Sequence, residues 1–328
     1  MKVDKSKLGE LTAYLKEKKI LSATEFISKA EMPGEGNMNY TLRVFVDERT
    51  FIVKQARPYV EKYPTIAAPE NRILVESKFY QLIATDIFLK SRMPVLNFTD
   101  KEMHLIVMQD LGAASDFTFL YKNRQVLATE SAITCAQFLS TLHANFKKEG
   151  HNELMANREL RKLNHEHIFI YPFLEENGLN LDSVTPGLQE FSLRYKQDVR
   201  LKEVIERLGN NYLSDGDTLL HGDFYPGSWL HTSDGVKIID PEFSFYGLAE
   251  FDVGIMLAHL HLTRQPPAIF ELVENNYSKS LTFDNELLDA FTGIEILRRI
   301  IGLAQLPLSL ALPEKKQLLE KAVSLLKK

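Results

Sequence analysis

The sequence predicts an α+β chain built as two lobes, a small lobe on an antiparallel sheet and a larger, mainly helical one. Short alternating apolar stretches crowd its first third, and helical spacing takes over after Gly112. The length of 328 residues, 45% of them hydrophobic and 25% charged, is enough to bury two cores. The expected division is residues 1–110 and residues 111–328.

Leu8, Leu11 and Leu15 recur at helical spacing, so residues 5–19 read as an amphipathic entry helix. Phe26-Ile27, residues 40–46 and residues 51–53 then read as three strands, with Leu42, Val44 and Val46 alternating against Arg43 and Phe45. Between the first two lies Gly34-Glu35-Gly36-Asn37-Met38-Asn39, a turn rich in glycine and asparagine. Backbone N–H groups exposed in such a turn suit phosphate oxygens, although a plain hairpin turn has the same composition. Lys54 ends the third strand, which puts its amine either in solvent or on an anion. Residues 55–69 read as a proline-punctuated loop and residues 69–83 as a largely buried helix. On that helix Glu76 is the expected ion-pair partner of Lys54, against a surface contact with Arg72 four residues earlier. Residues 95–98 and 104–108 read as two more strands. The second runs through Met108 and Asp110 into Gly112, a hinge whose main-chain groups are free for a flat base.

Beyond Gly112, helices are expected at residues 127–145, 187–208, 250–262, 267–277, 285–306 and 313–326. His143 reads as a packed or capping histidine. Asn164-His165-Glu166-His167 lacks the spacing of a zinc protease helix and reads as a polar segment. The centre of the chain is His221-Gly222-Asp223-Phe224-Tyr225-Pro226-Gly227-Ser228, followed by Ile238-Ile239-Asp240-Pro241-Glu242. Asp223 precedes Asp240 by 17 residues, the span of a loop and a hairpin. Asp252 is expected to brace the loop around His221 and Asp223.

Composition narrows the function. Lys and Arg total 39 against 44 Asp and Glu, a net charge of −5, which is not the footprint of a nucleic-acid binder. The single cysteine, Cys135, excludes an internal disulfide and a multi-cysteine metal site. No apolar run approaches the roughly 18 residues of a membrane span. The N-terminus is polar and has no signal-peptide core, so a cytoplasmic location is expected.

Phosphoryl transfer asks a protein to clamp phosphates, neutralise charge and align an acceptor hydroxyl near a carboxylate. The chain offers the parts in order: glycine-rich turn, strand lysine, helical glutamate, hinge, loop aspartate and a second acidic segment. Asp223 is the expected base for the acceptor hydroxyl. Asp240 and Glu242 are the expected ligands of Mg²⁺, a hard cation that takes oxygen donors. The expected chemistry is Mg²⁺-assisted phosphoryl transfer to a hydroxyl.

The order and wording of these motifs resemble the aminoglycoside/choline kinase superfamily, whose fold is protein-kinase-like and two-lobed. Within it the chain is most similar to the 5-methylthioribose kinase branch. HGDFYPGS carries Ser228 where most of the superfamily has a metal-binding asparagine and this branch has serine. IDPEFSFYG resembles the branch's DPEFAFYG, GEGNMN its GDGNLN and VKQARPYV its KQALPYV. The resemblance implies ATP contacts at Gly34, Gly36, Asn37, Asn39, Lys54, Glu76, Met108 and Asp110. It implies substrate contacts at Arg298, Arg299 and Tyr225, with Ser228 open as a participant in metal binding. Adjacent helical residues point about 100° apart. One arginine is therefore expected to reach substrate while the other pairs with an acid such as Glu295. Members of the branch are longer. They carry leucine and histidine where this chain has Phe224 and Tyr225, and residues 116–173 show little match. A methylthioribose-like sugar is the expected acceptor. The alternatives are an aminoglycoside, choline, an amino sugar or a glycated amine, or a pseudokinase that binds nucleotide without turnover. Homodimerisation is left open by the sequence.

Overall fold

The computed structural model describes residues 1–34, 38–123, 125–150, 152–277 and 284–327. The chain forms two compact units. The first is Met1–Ala114 with Lys237–Phe243, the second Ser115–Val236 with Ser244–Lys328. A cut at residue 110 leaves Lys237–Phe243 in the helical lobe, but the structure groups this segment with the first unit. Lys237 Nζ donates to the Ser91 carbonyl at 2.8 Å and the Ile238 amide to that of Arg92 at 2.7 Å.

In the first unit, helix α1 (Leu8–Glu17) buries Leu11, Tyr14 and Leu15, one apolar face at helical spacing. That face joins the core of a five-stranded antiparallel sheet, order β1-β2-β3-β7-β6. Its strands are β1 (Lys29–Glu31), β2 (Tyr40–Val46), β3 (Arg49–Gln55), β6 (Leu96–Asp100) and β7 (Leu105–Gln109). Even-numbered residues of β2 are buried and odd-numbered ones part-exposed, the period of two that the sequence shows. The first strand lies three residues later than Phe26-Ile27. Phe26 is exposed, and the Ile27 amide donates to Thr12 Oγ1, which ties this stretch to α1. Residues 55–69 are not wholly loop, since β4 (Tyr59–Val60) and β5 (Tyr63–Ala67) pair within them. Helix α2 (Arg72–Ile83) buries both Arg72 and Glu76, and the short α3 (Ile87–Ser91) follows.

The second unit starts with β8 (Ser115–Asp116), α4 (Phe119–Asn123), α5 (Thr129–Asn145), α6 (Glu153–Ala156) and α7 (Arg158–His165). One π-helical stretch, Glu166–Ile170, continues α7. The helix expected at 187–208 is two, α8 (Leu188–Lys196) and α9 (Val199–Leu213). Asp198 separates them by accepting the Leu201 amide as N-cap of α9. Short strands β9 (Thr218–Leu220), β10 (Trp229–Thr232) and β12 (Phe245–Gly247) belong to this unit, and β11 (Gly235–Ile238) begins in it and ends with the first two residues of Lys237–Phe243. Helices α10 (Ala249–Leu262), α11 (Pro267–Tyr277), α12 (Asn285–Ile301) and α13 (Leu312–Leu326) complete the unit. The α12 helix stops at Gly302, short of the 306 expected, where the backbone turns extended and the Gly302 amide returns to the Arg298 carbonyl. Helices α10 and α12 pack closely enough that a Cβ on Gly254 would stand 2.8 Å from Phe291 Cβ.

Candidate active site

The candidate site residues form two groups, one in each unit. In the first unit, β3 delivers Lys54 into the protein, where it is 4% exposed. Its ammonium lies 2.7 Å from Glu76 Oε2 and 2.7 Å from Asp240 Oδ1. Glu76 is fully buried, so it forms the interior pair with Lys54 and not a surface contact with Arg72. Burial lowers the affinity of Lys54 for its proton, but Asp240, Glu76 and Glu242 together outweigh it and hold the ammonium charged. The same burial pushes the Glu76 carboxyl up to about 8 despite the opposing pull of Lys54.

Asp240 stands on left-handed backbone, φ 63°, and leaves 47% of its side chain exposed. A non-glycine residue held there is sterically costly and recurs at functional sites. Glu242 is turned inward. Its Oε2 accepts the Asn39 amide at 2.8 Å and lies 3.4 Å from Arg72 Nε. Burial raises its carboxyl, with Lys54 and Arg72 pulling the other way. Asn39 Oδ1 in turn accepts Arg72 Nε at 2.8 Å. Asn39 is therefore a buried strut at the end of the glycine-rich turn. Gly34 is exposed, and Gly36 and Asn37 lie outside the described residues. Arg72 also donates to the carbonyls of Met38 and Arg57, which anchors the turn to α2.

Met108 is buried in β7. Asp110 takes two hydrogen bonds from Arg43, at 2.8 and 2.9 Å, and one from the Gly112 amide. Burial raises its carboxyl, but these donors win and hold it below the ordinary value. Its side chain thus fixes the segment after β7. Among the described residues no three His, Cys, Asp or Glu side chains converge as a metal cage. Mg²⁺ needs only one or two carboxylates when phosphate oxygens supply the rest, and Asp240 with Glu242 match that donor set.

In the second unit, the loop after β9 holds Asp223. Asp252 on α10 braces it from below, its Oδ2 accepting the His221 amide at 2.6 Å and its Oδ1 the Gly222 amide at 2.9 Å. His143 lies 3.2 Å from the same Oδ2 and 2.6 Å from the Tyr277 hydroxyl, a packed position. Ser228 is buried and donates to the Asp223 carbonyl at 2.9 Å, closing the loop on itself. Trp229 follows at once, fully buried against Phe224 and Phe117. The Tyr225 ring folds back over Gly227, where a Cβ would stand 2.4 Å from it. Only glycine leaves that space.

Arg299 lies over the Tyr225 ring, 4.8 Å from its centroid, and its Nη2 is 3.4 Å from Asp223 Oδ1. Both arginines also reach Glu295, Arg298 Nη1 at 3.1 Å and Arg299 Nε at 2.5 Å. The expectation of one arginine on the acid and one away from it is corrected here. Glu295 precedes them by three and four residues, the two spacings that share a helix face. Burial raises the Asp223 carboxyl above the ordinary value, countered in part by Arg299 and Arg298. For Glu295 the balance reverses, and the two arginines hold it well below the usual carboxylate range against the effect of burial. His259 on α10 completes the group, 3.1 Å from Glu295 and 2.6 Å from the Tyr121 hydroxyl. Sequence reasoning passed over His259, Tyr121 and the buried role of Arg72. One signal was available for His259: seven residues after Asp252, it shares a helix face with it.

The sequence pattern of the phosphotransferase enzyme family matches residues 31–284. The chain belongs to this family. Like its relatives the phosphotransferase acts on a hydroxyl acceptor, as a small-molecule kinase. It is 28% identical over 324 residues to a methylthioribose kinase of Geobacillus thermodenitrificans, with 83% of this chain and 78% of that protein covered. Against a methylthioribose kinase of Exiguobacterium sibiricum the identity is 29% over 247 residues, covering 72% and 62%. Among solved structures, spectinomycin phosphotransferase APH(9)-Ia in complex with ADP and spectinomycin superposes with a TM-score of 0.58 at 14% identity, 97% of each chain covered. The choline kinase LicA from Streptococcus pneumoniae gives 0.52 at 17% identity, covering 96% of the phosphotransferase and 98% of LicA. These likenesses agree with the protein-kinase-like α+β fold.

Proposed function

We propose that this phosphotransferase transfers the γ-phosphoryl group of ATP to a hydroxyl of a neutral, methylthioribose-like sugar. The observation that carries this reading is the charge around Asp223. A polycationic acceptor such as an aminoglycoside is best served by acids beside it, and a cation of any kind is disfavoured beside unpaired positive charge. Here Arg299 lies 3.4 Å from Asp223, Arg298 adds its charge to the same side, and Glu295 is engaged by both arginines. Other acids of the same unit, Glu159, Glu166, Glu175 and Glu176, are exposed. The similarity to methylthioribose kinases over most of the chain supports the same acceptor class.

In this reading Asp223 orients the acceptor hydroxyl and takes its proton as the phosphoryl group transfers, since an alcohol is too weak an acid to ionise first. Arg299 and Arg298 bind the acceptor side and offset the negative charge of the transferring group. Tyr225 supplies a flat face under Arg299. In the first unit Lys54, kept in place by Glu76, contacts the phosphates. Gly34, which opens the glycine-rich turn, is assigned to the phosphates, and main-chain groups near Met108 and Asp110 to the base. Asp240 and Glu242 would hold Mg²⁺, which would neutralise phosphate charge.

The test is an ATP-consumption screen with methylthioribose, choline and an aminoglycoside as acceptors and Asp223→Asn as control. Turnover is expected with methylthioribose and at least a thousandfold less in the variant, within the range of about 10²–10⁴ for a lost general base. Turnover with choline or the aminoglycoside but not with methylthioribose would overturn the acceptor assignment.

A further inference from the structure

The arginine clamp beside Asp223 does not stand by itself. Glu295 holds both arginines, but all three residues lie on α12, so these contacts cannot fix the clamp relative to the loop that carries Asp223. Among the described residues, the hydrogen bond to Glu295 from another helix comes from His259 on α10, which is wholly buried. Helix α10 also carries Asp252, the brace of the Asp223 loop, seven residues earlier and so on the same face.

The geometry fixes which way each proton points. Glu295 is a carboxylate and accepts only, so His259 Nε2, 3.1 Å from Oε1, must carry hydrogen. In a neutral imidazole Nδ1 is then an acceptor, and Tyr121 on α4 donates to it at 2.6 Å. An imidazolium would put a third cation in a buried group that already contains Arg298 and Arg299. Burial and the two arginines accordingly hold the ring down at about 4, although Glu295 pulls it upward. Tyr225 closes the group, its ring centroid 5.4 Å from that of His259.

We propose that His259, as the neutral tautomer protonated on Nε2 and fixed by Tyr121, is a positioning residue that sets the Glu295–Arg299 clamp against Asp223. One helix thereby registers both the base, through Asp252, and the cation beside it, through His259. The proposal rests on the reading of Asp223 as the base. It adds a device that neither touches substrate nor carries charge.

Two acceptor-independent measurements on the full chain test it. Nitrogen NMR at neutral pH is expected to show His259 protonated on Nε2 with Nδ1 as acceptor. The opposite tautomer or an imidazolium would overturn the proposal. Carbon NMR titration of the Asp223 carboxyl is expected to move to higher pH in His259→Phe, because a displaced Arg299 no longer opposes burial. Arg298, Glu295 and His221 also face this carboxyl and remain in the variant. His259→Gln, whose amide can stand where Nε2–H stood, is expected to restore the titration. An unmoved midpoint in a folded His259→Phe, with loss of thermal stability only, would show a merely structural residue. With methylthioribose and Mg-ATP, His259→Phe is expected to lower kcat about tenfold with KM for ATP unchanged, the mark of a lost transition-state contact. Wild-type turnover in Asp223→Asn would sink the base assignment and leave the tautomer and titration results to decide the clamp.

Discussion

Asp223 is subject to two opposed influences, and with it as the proposed base their balance sets the expected response to pH. Burial favours its neutral form, and the arginines favour the carboxylate. Because the net displacement is upward, the acid limb of the rate profile is expected above the ordinary aspartate value. Activity should fall as pH drops through it. Replacing Arg299 with Gln removes the larger of the two opposing charges, so that limb should move to still higher pH. A pH–rate series on the variant checks this, and a limb that moves to lower pH contradicts the charge balance. These residues differ in how far the sequence reveals them. Asp223, Asp240 and Glu242 follow apolar strands at turn-forming residues, and Lys54 ends a strand, so local pattern marks all four. His259 sits in an apolar helix, where a histidine has no local mark, and its partners come from α4 and α12. Nothing in residues 119–123 suggests that the Tyr121 hydroxyl would meet it.

Elements place these side chains with little slack. Helices α10 and α12 touch at Gly254, where an added methyl group would press on Phe291 and the Thr292 amide, both backbone-rigid neighbours. Gly254→Ala is therefore expected to cost about 1–3 kcal/mol by overpacking and to lower kcat as His259 and Glu295 separate. A denaturation curve read beside the kinetics checks both. Helix α1 is held to the sheet by a polar link as well as its apolar face. The Tyr14 hydroxyl donates to Asp100 at 2.9 Å and Lys18 approaches the same oxygen at 3.0 Å. Burial raises Asp100, but the Met103 amide, Lys18 and Tyr14 bring it from 3.8 down to about 2. A depressed carboxyl contributes stability that is complete above the unfolded value and lost as pH falls through the folded one. The contribution of Asp100 should thus fade between about pH 4 and 2. Tyr14→Phe should cost about 1 kcal/mol at neutral pH, and acid-denaturation curves of the two proteins would show it. Hydrophobic period predicted α1, β2 and β3 well. It did not resolve the break between α8 and α9, because Gln197-Asp198 interrupts the helix by capping chemistry without changing the apolar spacing.

For the molecule as a whole, the proposed division of labour by unit has a thermodynamic signature. A ligand that binds only the folded state raises stability by mass action, about 2.7 kcal/mol at a hundredfold excess over Kd. ATP with Mg²⁺ should raise the melting temperature of the wild type, and Asp240→Ala should remove the Mg²⁺-dependent part of that rise. An undiminished Mg²⁺ effect in the variant would place the metal on other ligands. Chain order predicted the two-lobed fold because sheet-forming and helix-forming stretches are segregated along the sequence. It misplaced Lys237–Phe243 for the same reason. Seven residues that return to the first unit leave no trace in a pattern read from one end to the other.

Trp229, which follows the HGDFYPGS loop, gives the chain a built-in optical probe. It is the single tryptophan of the sequence, against 12 tyrosines spread along the chain. Its ring is shielded from water by Phe224 and Phe117. Native emission should therefore be blue-shifted and should shift to the red only when the core beneath the loop opens. Fluorescence selective for tryptophan then follows the unit that carries Asp223 without any label, while circular dichroism averages over both.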